Sequence, residues 1–407
     1  MNFNLNKRQA VNFYKMTKKE RENYVQNIMM NKFKYPVNEL DSKNYEYKFW
    51  ANQPIIKNEN SMVLSKPIFE NLEKINIDND DKFSLNVITL SDDLIQSCEK
   101  FLNFNLTDKI YTFDFNSINN NNITITLNNK KNSNICGLIS SSIKNIRIGN
   151  QTSLMGDTRV LCIDKSIRQN RYSEKLINYL RNTLIDKQIY SSIFFTDVYI
   201  PIPNSKIQLY FRPLNYNKLH NINFVKSNDK KMYEYNLEKF KLNYSTSNLQ
   251  VFDGNNSCDD NTKLLYNLYY QYMEKFYLYQ EFTENEFANL LKSNSTYMIL
   301  HPQTKNICEF FIFKKYIIKF KNNNIYCAQL LMYSNNTTEY TPHQILNLVS
   351  QAAYNEKLDM LLLFDNFDND IVINENDGYY LKTSKNSYIN FYNWQFPKID
   401  TNQIGYL

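Results

Sequence analysis

The sequence predicts a mixed α/β fold, of the α+β class, built from two tandem units. Short apolar runs typical of buried strands alternate with amphipathic helix patterns from about residue 85 to the C terminus. The second half repeats the order of elements of the first half, although no literal sequence repeat is visible. A chain of 407 residues with 43% hydrophobic residues is long enough to bury a large core, so we expect a folded protein.

In the first half, strand-like runs surround two helix patterns. One helix is predicted over residues 92–104, and a second begins near Tyr172 with Ser173 as its expected N-cap. The apolar face of the second helix consists of Leu176, Ile177, Leu180 and Leu184. The predicted strands are NVITL, residues 123–127, 135–143 and 158–163, and SIFFTDVYI.

The second half shows the same alternation of predicted strands and helices. Helices are predicted over residues 262–278 and 343–357, and the predicted strands are TYMIL, CEFFIF, AQLLMYS, DMLLLFD and INFYNWQF. The polar stretch over residues 225–236 is the expected link between the halves. We therefore divide the chain into an N-terminal arm (residues 1–40), a first unit (41–225) and a second unit (226–407).

Composition excludes several classes of protein. The net charge of +6 is spread over the chain without a basic run, so it does not indicate nucleic-acid binding. Six cysteines without a CxxC pair and three histidines support neither a metal site nor a disulfide framework. No apolar stretch reaches the length of about 18 residues that a membrane span needs. We expect a cytoplasmic, monomeric protein with no metal and no stable membrane insertion.

A basic loop between a strand and a helix is the most informative local pattern. Residues 158–163 read as a buried strand, Arg168 and Arg171 follow in a loop, and the helix begins near Tyr172. Free N–H groups at a helix N-terminus, together with flanking arginines, suit a pyrophosphate. A Gly-rich phosphate loop is absent, so a solvated basic loop ahead of an ordinary helix is the alternative.

An aromatic segment lies upstream, in NYEYKFWANQPI. Its rings, from Tyr45, Tyr47, Phe49 and Trp50, could stack on an adenine or pack on the core.

These two clusters, in this order, resemble the eukaryotic N-myristoyltransferase family. The segment YKFWANQPI resembles the family's YxFWxTQPV, RVLCIDKSIRQNRYSE resembles NFLCVHKKLRSKRVAP, and FTDVYIPIPNS resembles YTAGVVLPKPV. In the second half, MEKFYL, LLLFDNFDN and INFYNWQFP resemble LKQFHL, FNALDLMEN and YLYNWKCP. The collinear match covers roughly residues 45–407.

The resemblance implies two acyltransferase (GNAT-like) halves around a pseudo-two-fold axis. In that family the first half binds most of myristoyl-CoA, the acyl donor, and the second half binds most of a peptide that starts with glycine. The implied reaction transfers the myristoyl group to the amine of that glycine, and no other cofactor is needed.

The resemblance also implies residue roles. Backbone amides of Val160 and Leu161 would hold the oxyanion, the terminal carboxylate of Leu407 would be the base, and Thr196 would help hold the amine. Implied contacts to CoA are Tyr47, Lys48, Phe49, Trp50, Leu161, Cys162, Ile163, Arg168, Gln169, Asn170, Arg171, Tyr172 and Ser173. Implied contacts to the peptide are Asp108, Phe113, Phe115, Tyr210 and Asn366.

The sequence departs from the family at two sites of chemistry. Arg159 replaces the family asparagine before the oxyanion pair, and about two residues are missing between Pro397 and the C terminus. Two alternatives are a non-catalytic relative that binds acyl-CoA or myristoylated peptides, and a GNAT acyltransferase with a different acyl group or amine.

A third departure makes a prediction about substrates. The acidic run that meets basic substrate residues in the family shrinks here to Asp108, with Asp114 nearby. Replacing lysines of a glycine-starting peptide by alanine should therefore change kcat/KM little, which steady-state kinetics can measure. A large loss would contradict the prediction.

Overall fold

The fold is described from a computed structural model, over residues 35–36, 38–58, 65–88, 91–105, 122–254, 259–375 and 378–405. The strands are β1 Lys66–Pro67, β2 Phe83–Ile88, β3 Ile123–Asn129, β4 Ile135–Ile148, β5 Gln151–Ile163, β6 Ser191–Thr196, β7 Ser205–Pro213, β8 Leu249–Val251, β9 Leu278–Glu281, β10 Ser295–Leu300, β11 Ile307–Phe320, β12 Asn323–Tyr333, β13 Met360–Phe364, β14 Leu381–Tyr392, β15 Trp394–Gln395 and β16 Ile404–Gly405. The helices are α1 Glu39–Lys43, α2 Asp92–Asn105, α3 Tyr172–Asp186, α4 Tyr216–Asn221, α5 Lys230–Lys239, α6 Asp259–Met273, α7 Glu284–Ser293, α8 Pro342–Asn355 and α9 Asn369–Glu375.

One large sheet runs through the described part of the chain. Its strand order is β16-β9-β4-β5-β6-β14-β7-β13-β12-β11-β10-β8, with β2 and β3 added beside β4. Most neighbouring strands are antiparallel, but β5 pairs with β6, and β12 with β13, in parallel. These two pairs are each joined by one crossover helix, α3 in the first case and α8 in the second, whereas the parallel strands β9 and β16 are far apart in sequence.

The two halves of the sheet repeat one topology. The series β3-β4-β5-α3-β6 has the same order and pairing as β10-β11-β12-α8-β13. The loops that lead into the crossover helices, residues 164–171 and 334–341, have the same length of eight residues. The prediction of a mixed α/β fold with two tandem halves is confirmed.

The halves exchange strands at the centre of the sheet. Strand β7, which follows β6 in the first unit, pairs with β13 of the second, and β14, which follows β13 in the second unit, pairs with β6 of the first. Strands β7 and β14 pair with each other and complete a symmetric centre. The proposed boundary near residue 225 stays a prediction.

The hydrophobic cores lie where helices cover the sheet. In the first half, Leu176, Leu180 and Leu184 of α3 are buried against β3 and β4, on the helical face that the sequence predicts. The second half holds a larger, aromatic-rich core between α6, α7, α8 and the strands β10–β13. Among the described residues, no helix is long and apolar enough to cross a membrane.

Several predicted ends were wrong, for local reasons. The N-cap of α3 is Arg171, in the left-handed region, and Ser173 lies inside the helix. The helix predicted over 262–278 ends at Met273, because the following residues are drawn into β9, which pairs with β4. The strand SIFFTDVYI ends at Thr196. The expected link at 225–236 folds partly as α5.

Gly156 on β5 provides a test of packing under α3. A Cβ at this position would lie 2.9 Å from both Ser141 Oγ and Ser192 Oγ, and 3.0 Å from Leu184 Cδ1. Overpacking of this kind costs about 1–3 kcal/mol. We expect Gly156→Ala to lower the free energy of unfolding by this amount in urea titrations.

Gly254→Ala is the matched control, because an added Cβ there meets only Lys292, chiefly its flexible side chain. We expect it to be close to neutral. Equal stability of Gly156→Ala and wild type would show that the packing at β5 is looser than described.

Candidate functional site

Strands β5 and β6 part at the middle of the first unit. Their parallel pairing runs from Met155–Ser191 to Thr158–Phe194 and then stops, while β5 continues to Ile163. The pairing between β4 and β5 shifts at the same place, because Ser140 faces Val160 whereas Ser141 faces Thr158, so Arg159 is an extra residue in the ladder. Such bulges bend a strand and often lie beside active sites. The edge of β5 from Arg159 onward is therefore left without β6 as partner.

A cavity of about 800 Å³ occupies this fork, within the range of about 300–1,000 Å³ typical of small-molecule sites. Its first-half wall is mainly apolar and consists of Phe49, Trp50, Leu72, Ile139, Ile177, Leu180, Leu184, Ile185 and Ile189. Its second-half wall carries polar groups, from Lys314, Tyr316, Gln329, Asn386 and Ser387. The cavity thus joins an apolar region under α3 to a polar region contributed by the other half.

Val160, Leu161 and Thr196, the residues expected to carry the reaction, all line this cavity. Val160 is buried against the core between α2 and the sheet, whereas the Leu161 side chain is 41% exposed and faces the cavity. The Thr196 hydroxyl donates to the carbonyl of Val198 at 2.7 Å and accepts from Asn390 Nδ2 at 3.1 Å. Leu407, the expected base, lies outside the described residues.

A buried carboxylate holds Arg159 in place. Asp157 accepts from Arg159 Nε at 2.6 Å and pairs with Lys144 Nζ at 2.8 Å, and its side chain has no exposed surface. The Arg159 guanidinium also lies 3.9 Å from the ring centroid of Phe195. Burial alone would raise the pKa of the Asp157 carboxyl, but the two cations, Arg159 first, outweigh it and hold that pKa well below its usual range.

The loop before α3 has an unusual backbone for its sequence. Gln169 and Arg171 have φ values of 76° and 60°, in the left-handed region that glycine favours. The Arg168 guanidinium donates to the carbonyls of Ile163 and Asn105, which ties the loop to the end of α2. Alternating backbone conformations of this kind turn N–H groups toward a common anion site. Asn170 lies between the two residues and is exposed.

The N-terminus of α3 is open, and that of α8 is closed. Arg171, the N-cap of α3, makes no side-chain cap hydrogen bond. At the equivalent place in the second half, Thr341 and Gln344 form a capping box on α8, with Pro342 in its first turn. The neighbouring N–H groups of Asn336 and Thr337 donate to the buried Glu309 carboxylate. Of these two equivalent helix ends, that of α8 has a side-chain cap and that of α3 has none, although the Glu174 N–H of α3 donates to the Arg171 carbonyl at 3.1 Å.

The aromatic segment splits between the two roles that the sequence allows. Tyr47 is buried and donates its hydroxyl to the carbonyl of Tyr199, which is a packing role. Phe49 and Trp50 line the cavity, and Trp50 stacks on Phe194 with ring centroids 5.5 Å apart. Lys48 is exposed.

The other expected CoA contacts lie around the same loop. Cys162 is buried in the core beside α2, and Ile163 packs against the first-half core. Tyr172 packs edge-on against Phe83, and Ser173 lines the cavity.

The expected peptide contacts are not brought together by the described structure. Tyr210 lies on β7 opposite Leu363, and Asn366 is fully buried after β13, and neither lines the cavity. Burial, with Asp365 nearby, raises the pKa of the Tyr210 hydroxyl. Asp108, Phe113 and Phe115 lie outside the described residues.

Two features escaped the sequence reasoning. Asp157 could have been noticed as a lone carboxylate in an apolar strand with an arginine two positions on. The polar wall at Lys314, Gln329 and Asn386 carries no sequence signal, because strand exchange brings it to the fork. Among the described residues, no cluster of His, Cys, Asp and Glu could hold a metal ion.

Known proteins similar to this chain are N-acyltransferases, a class that the family model and the curated relatives share. Residues 54–207 match the family model described as the N-terminal domain of myristoyl-CoA:protein N-myristoyltransferase. A glycylpeptide N-tetradecanoyltransferase of Plasmodium falciparum is 22% identical over 90% of this chain and 95% of its own length. A Schizosaccharomyces pombe enzyme of the same name is 23% identical over 88% of this chain and 85% of its own.

Solved structures show the same fold. A Saccharomyces cerevisiae N-myristoyltransferase with bound myristoyl-CoA and inhibitors superposes with a TM-score of 0.77 at 18% identity, over 89% of this chain and 92% of that one. Together these matches show that the chain is similar over most of its length to N-myristoyltransferases, which are N-acyltransferase enzymes.

The buried charge cluster predicts a pH-dependent loss of stability. Asp157→Asn leaves Lys144 and Arg159 facing a neutral amide, which should cost about 3–5 kcal/mol at pH 7. Because the carboxyl pKa is depressed in the folded state, its contribution is complete above the unfolded pKa of about 4 and declines as the pH falls below it. Urea titrations should therefore show the gap between variant and wild type narrowing below about pH 4.

Asp186→Asn is the control, because the Lys74–Asp186 pair is more than half exposed and worth at most about 1 kcal/mol. A gap for Asp157→Asn that stays constant from pH 7 to pH 3 would refute the assignment of an ionised, doubly paired carboxylate.

Proposed function

We propose that this protein transfers a myristoyl group from myristoyl-CoA to the N-terminal glycine amine of peptides or proteins. The observation that carries the proposal is the uncapped N-terminus of α3 beside an apolar cavity, at a place where the equivalent helix of the second half is capped. A cofactor with a pyrophosphate and a long acyl chain needs both features side by side. The match of residues 54–207 to the N-myristoyltransferase family model supports the same function.

The proposed binding mode follows from the polarity of the fork. The pyrophosphate of CoA lies at the loop of Arg168–Ser173 and the first N–H groups of α3, where the helix dipole favours an anion. The acyl chain lies in the apolar part of the cavity under α3, against Leu180 and Leu184. The thioester then lies along the edge of β5 that β6 has left.

The proposed chemistry uses main-chain donors. The amine nitrogen attacks the thioester carbon, and the oxyanion accepts hydrogen bonds from the amides of Val160 and Leu161 on the unpaired edge of β5. One such donor is worth about 10²–10³ in rate. The C–S bond breaks, CoA leaves as the thiolate, and the proton of the attacking amine passes to a base.

The base that we propose is the terminal carboxylate of Leu407, and Thr196 orients the amine. A free α-amino group has a pKa of about 7.7–8.0. A sizeable fraction of the amine is therefore already neutral near neutral pH, and a weak base such as a carboxylate is sufficient. Ile404 and Gly405, the last residues that the structure describes, pair with β9 and are buried. Glycine-starting peptides are the proposed partners, and a cytoplasmic monomer stays a prediction.

A second function is favoured by one observation. Arg159 stands where the family has asparagine, and it lines the cavity between Asp157 and Phe195. If its charge prevents the amine from docking, the protein is a non-catalytic relative that binds acyl-CoA.

Mass spectrometry separates the two functions. Purified protein is incubated with myristoyl-CoA and a glycine-starting peptide, and the same peptide starting with alanine is the control. We expect one myristoyl group on the glycyl peptide alone, and a strong decrease when Leu407 is deleted. Full activity of the deletion variant would move the base elsewhere, and tight myristoyl-CoA binding without transfer to any peptide would favour the non-catalytic relative.

A further inference from the structure

Asn386 presents an unsatisfied acceptor at the cavity. It lies on β14 where pairing with β7 shifts register, between Lys382 and Asn386, and it lines the second-half wall. Its Oδ1 atom is buried and accepts no hydrogen bond from any residue in the described part of the chain. A buried acceptor without a donor costs about 1–3 kcal/mol, and an acceptor of this kind on a cavity wall is open to a donor from a ligand.

The register of β14 places Asn386 near Thr196. Tyr388 is the direct partner of Thr196 across the β6/β14 pair, and Asn386 is two residues from Tyr388 on the same face. Diagonal neighbours of this kind are about 7–8 Å apart at their Cα atoms. A single nitrogen between the two side chains can therefore reach Oγ1 of Thr196 and Oδ1 of Asn386 at once.

Thr196 has capacity for one more hydrogen bond. Its hydroxyl proton goes to the carbonyl of Val198, and one of its two lone pairs accepts from Asn390. The remaining lone pair, together with Oδ1 of Asn386, forms a pair of acceptors. A neutral primary amine has two N–H donors to match them.

We propose that Asn386 is a positioning residue for the substrate's N-terminal amine, acting as the second acceptor beside Thr196. With both N–H groups held by these acceptors, the nitrogen lone pair is left to point at the thioester carbon. The inference rests on the proposed function, because it assigns the amine of that reaction.

The chemistry of the site favours a primary amine over other donors. An acceptor pair does not recognise the acyl chain, which has no donors, nor the thioester, which has only acceptors. Because Arg159 lines the same cavity, the site disfavours a permanently charged ammonium group. Glycine, which has no side chain, lets the amine reach between two strands without meeting β14.

Binding of a glycyl peptide tests the proposal independently of turnover. Titration calorimetry measures the peptide Kd with the enzyme loaded with a non-transferable thioether analogue of myristoyl-CoA. We expect Asn386→Leu to weaken peptide binding about tenfold or more and to leave the affinity for the analogue unchanged. Asn386→Asp keeps an acceptor and should bind the peptide at least as tightly as wild type.

The matched control is Asn324→Leu, the same change at an exposed asparagine of β12 that does not line the cavity. It should leave the peptide Kd within about twofold. Thermal unfolding of the ligand-free proteins adds a second readout, since removing an unsatisfied acceptor should keep or raise the Tm of Asn386→Leu. Weaker peptide binding with a Tm below that of wild type would indicate structural damage and would overturn the proposal.

A peptide that starts with N-methylglycine allows a double-mutant-type cycle, in which the change in the peptide is combined with Asn386→Leu. The neutral amine of this peptide has one N–H donor fewer than that of glycine. The loss of affinity on N-methylation should be about tenfold smaller in Asn386→Leu than in wild type. Additive losses would show that Asn386 does not contact the amine. Absence of transfer in wild type, with this coupling intact, would instead contradict the proposed function alone.

Discussion

The parting of β5 and β6 is the constraint on which the rest of the structure depends. Two parallel strands that pair for four residues and then diverge leave a wedge that the sheet itself cannot fill. The bulge at Arg159 turns β5 away, and α3 roofs the gap with an apolar face. An unpaired strand edge next to an apolar cavity is costly in an empty protein, since its N–H groups lack strand partners. A ligand with both a carbonyl and an alkyl chain satisfies both surfaces.

In the second half, side chains of the protein itself satisfy the N–H groups at the start of the crossover helix. It has the same strand order, crossover helix and loop length, yet the loop N–H groups of Asn336 and Thr337 are satisfied by Glu309, and α8 is capped by Thr341. The first half forgoes these internal partners. The two halves thus differ at equivalent helix ends, and the second half also contributes to the fork of the first, because β14, which carries Asn386, pairs with β6.

The sequence predicted the elements well and their ends poorly. The hydrophobic periodicity of α3 identified its buried face, since Leu176, Leu180 and Leu184 lie one turn apart. The start of α3 was misjudged because Arg171 adopts a positive φ, which no residue preference of arginine indicates. Helix α6 was predicted to be too long, because the apolar residues 276–278 fit a helix and a strand equally well. The pairing of β9 with β4 and β16 decides for the strand.

The residues of the candidate site also fall into those that the sequence could reveal and those that it could not. Residues close together in sequence, such as Val160, Leu161 and the loop before α3, could be found from motif resemblance, because the strand, loop and helix that carry them are contiguous. Asn386 and Lys144 could not, since each comes from a strand whose neighbours are set by the sheet order. Asp157 lies between these cases, because a carboxylate in an apolar strand signals a partner without naming it.

Arg159 changes the electrostatics of the fork, and the structure compensates for it. A cation next to the oxyanion edge would be free to move if it were exposed, but Asp157 and Phe195 fix it from two sides. Because Arg159 and Lys144 hold the pKa of the Asp157 carboxyl well below its usual range, Asp157 stays ionised and does not take a proton from an arriving amine. The carboxylate nearest to the fork is therefore a structural anchor rather than a base. In the proposed reaction, proton transfer would then fall to a group that is not already paired, and neutral acceptors would orient the amine.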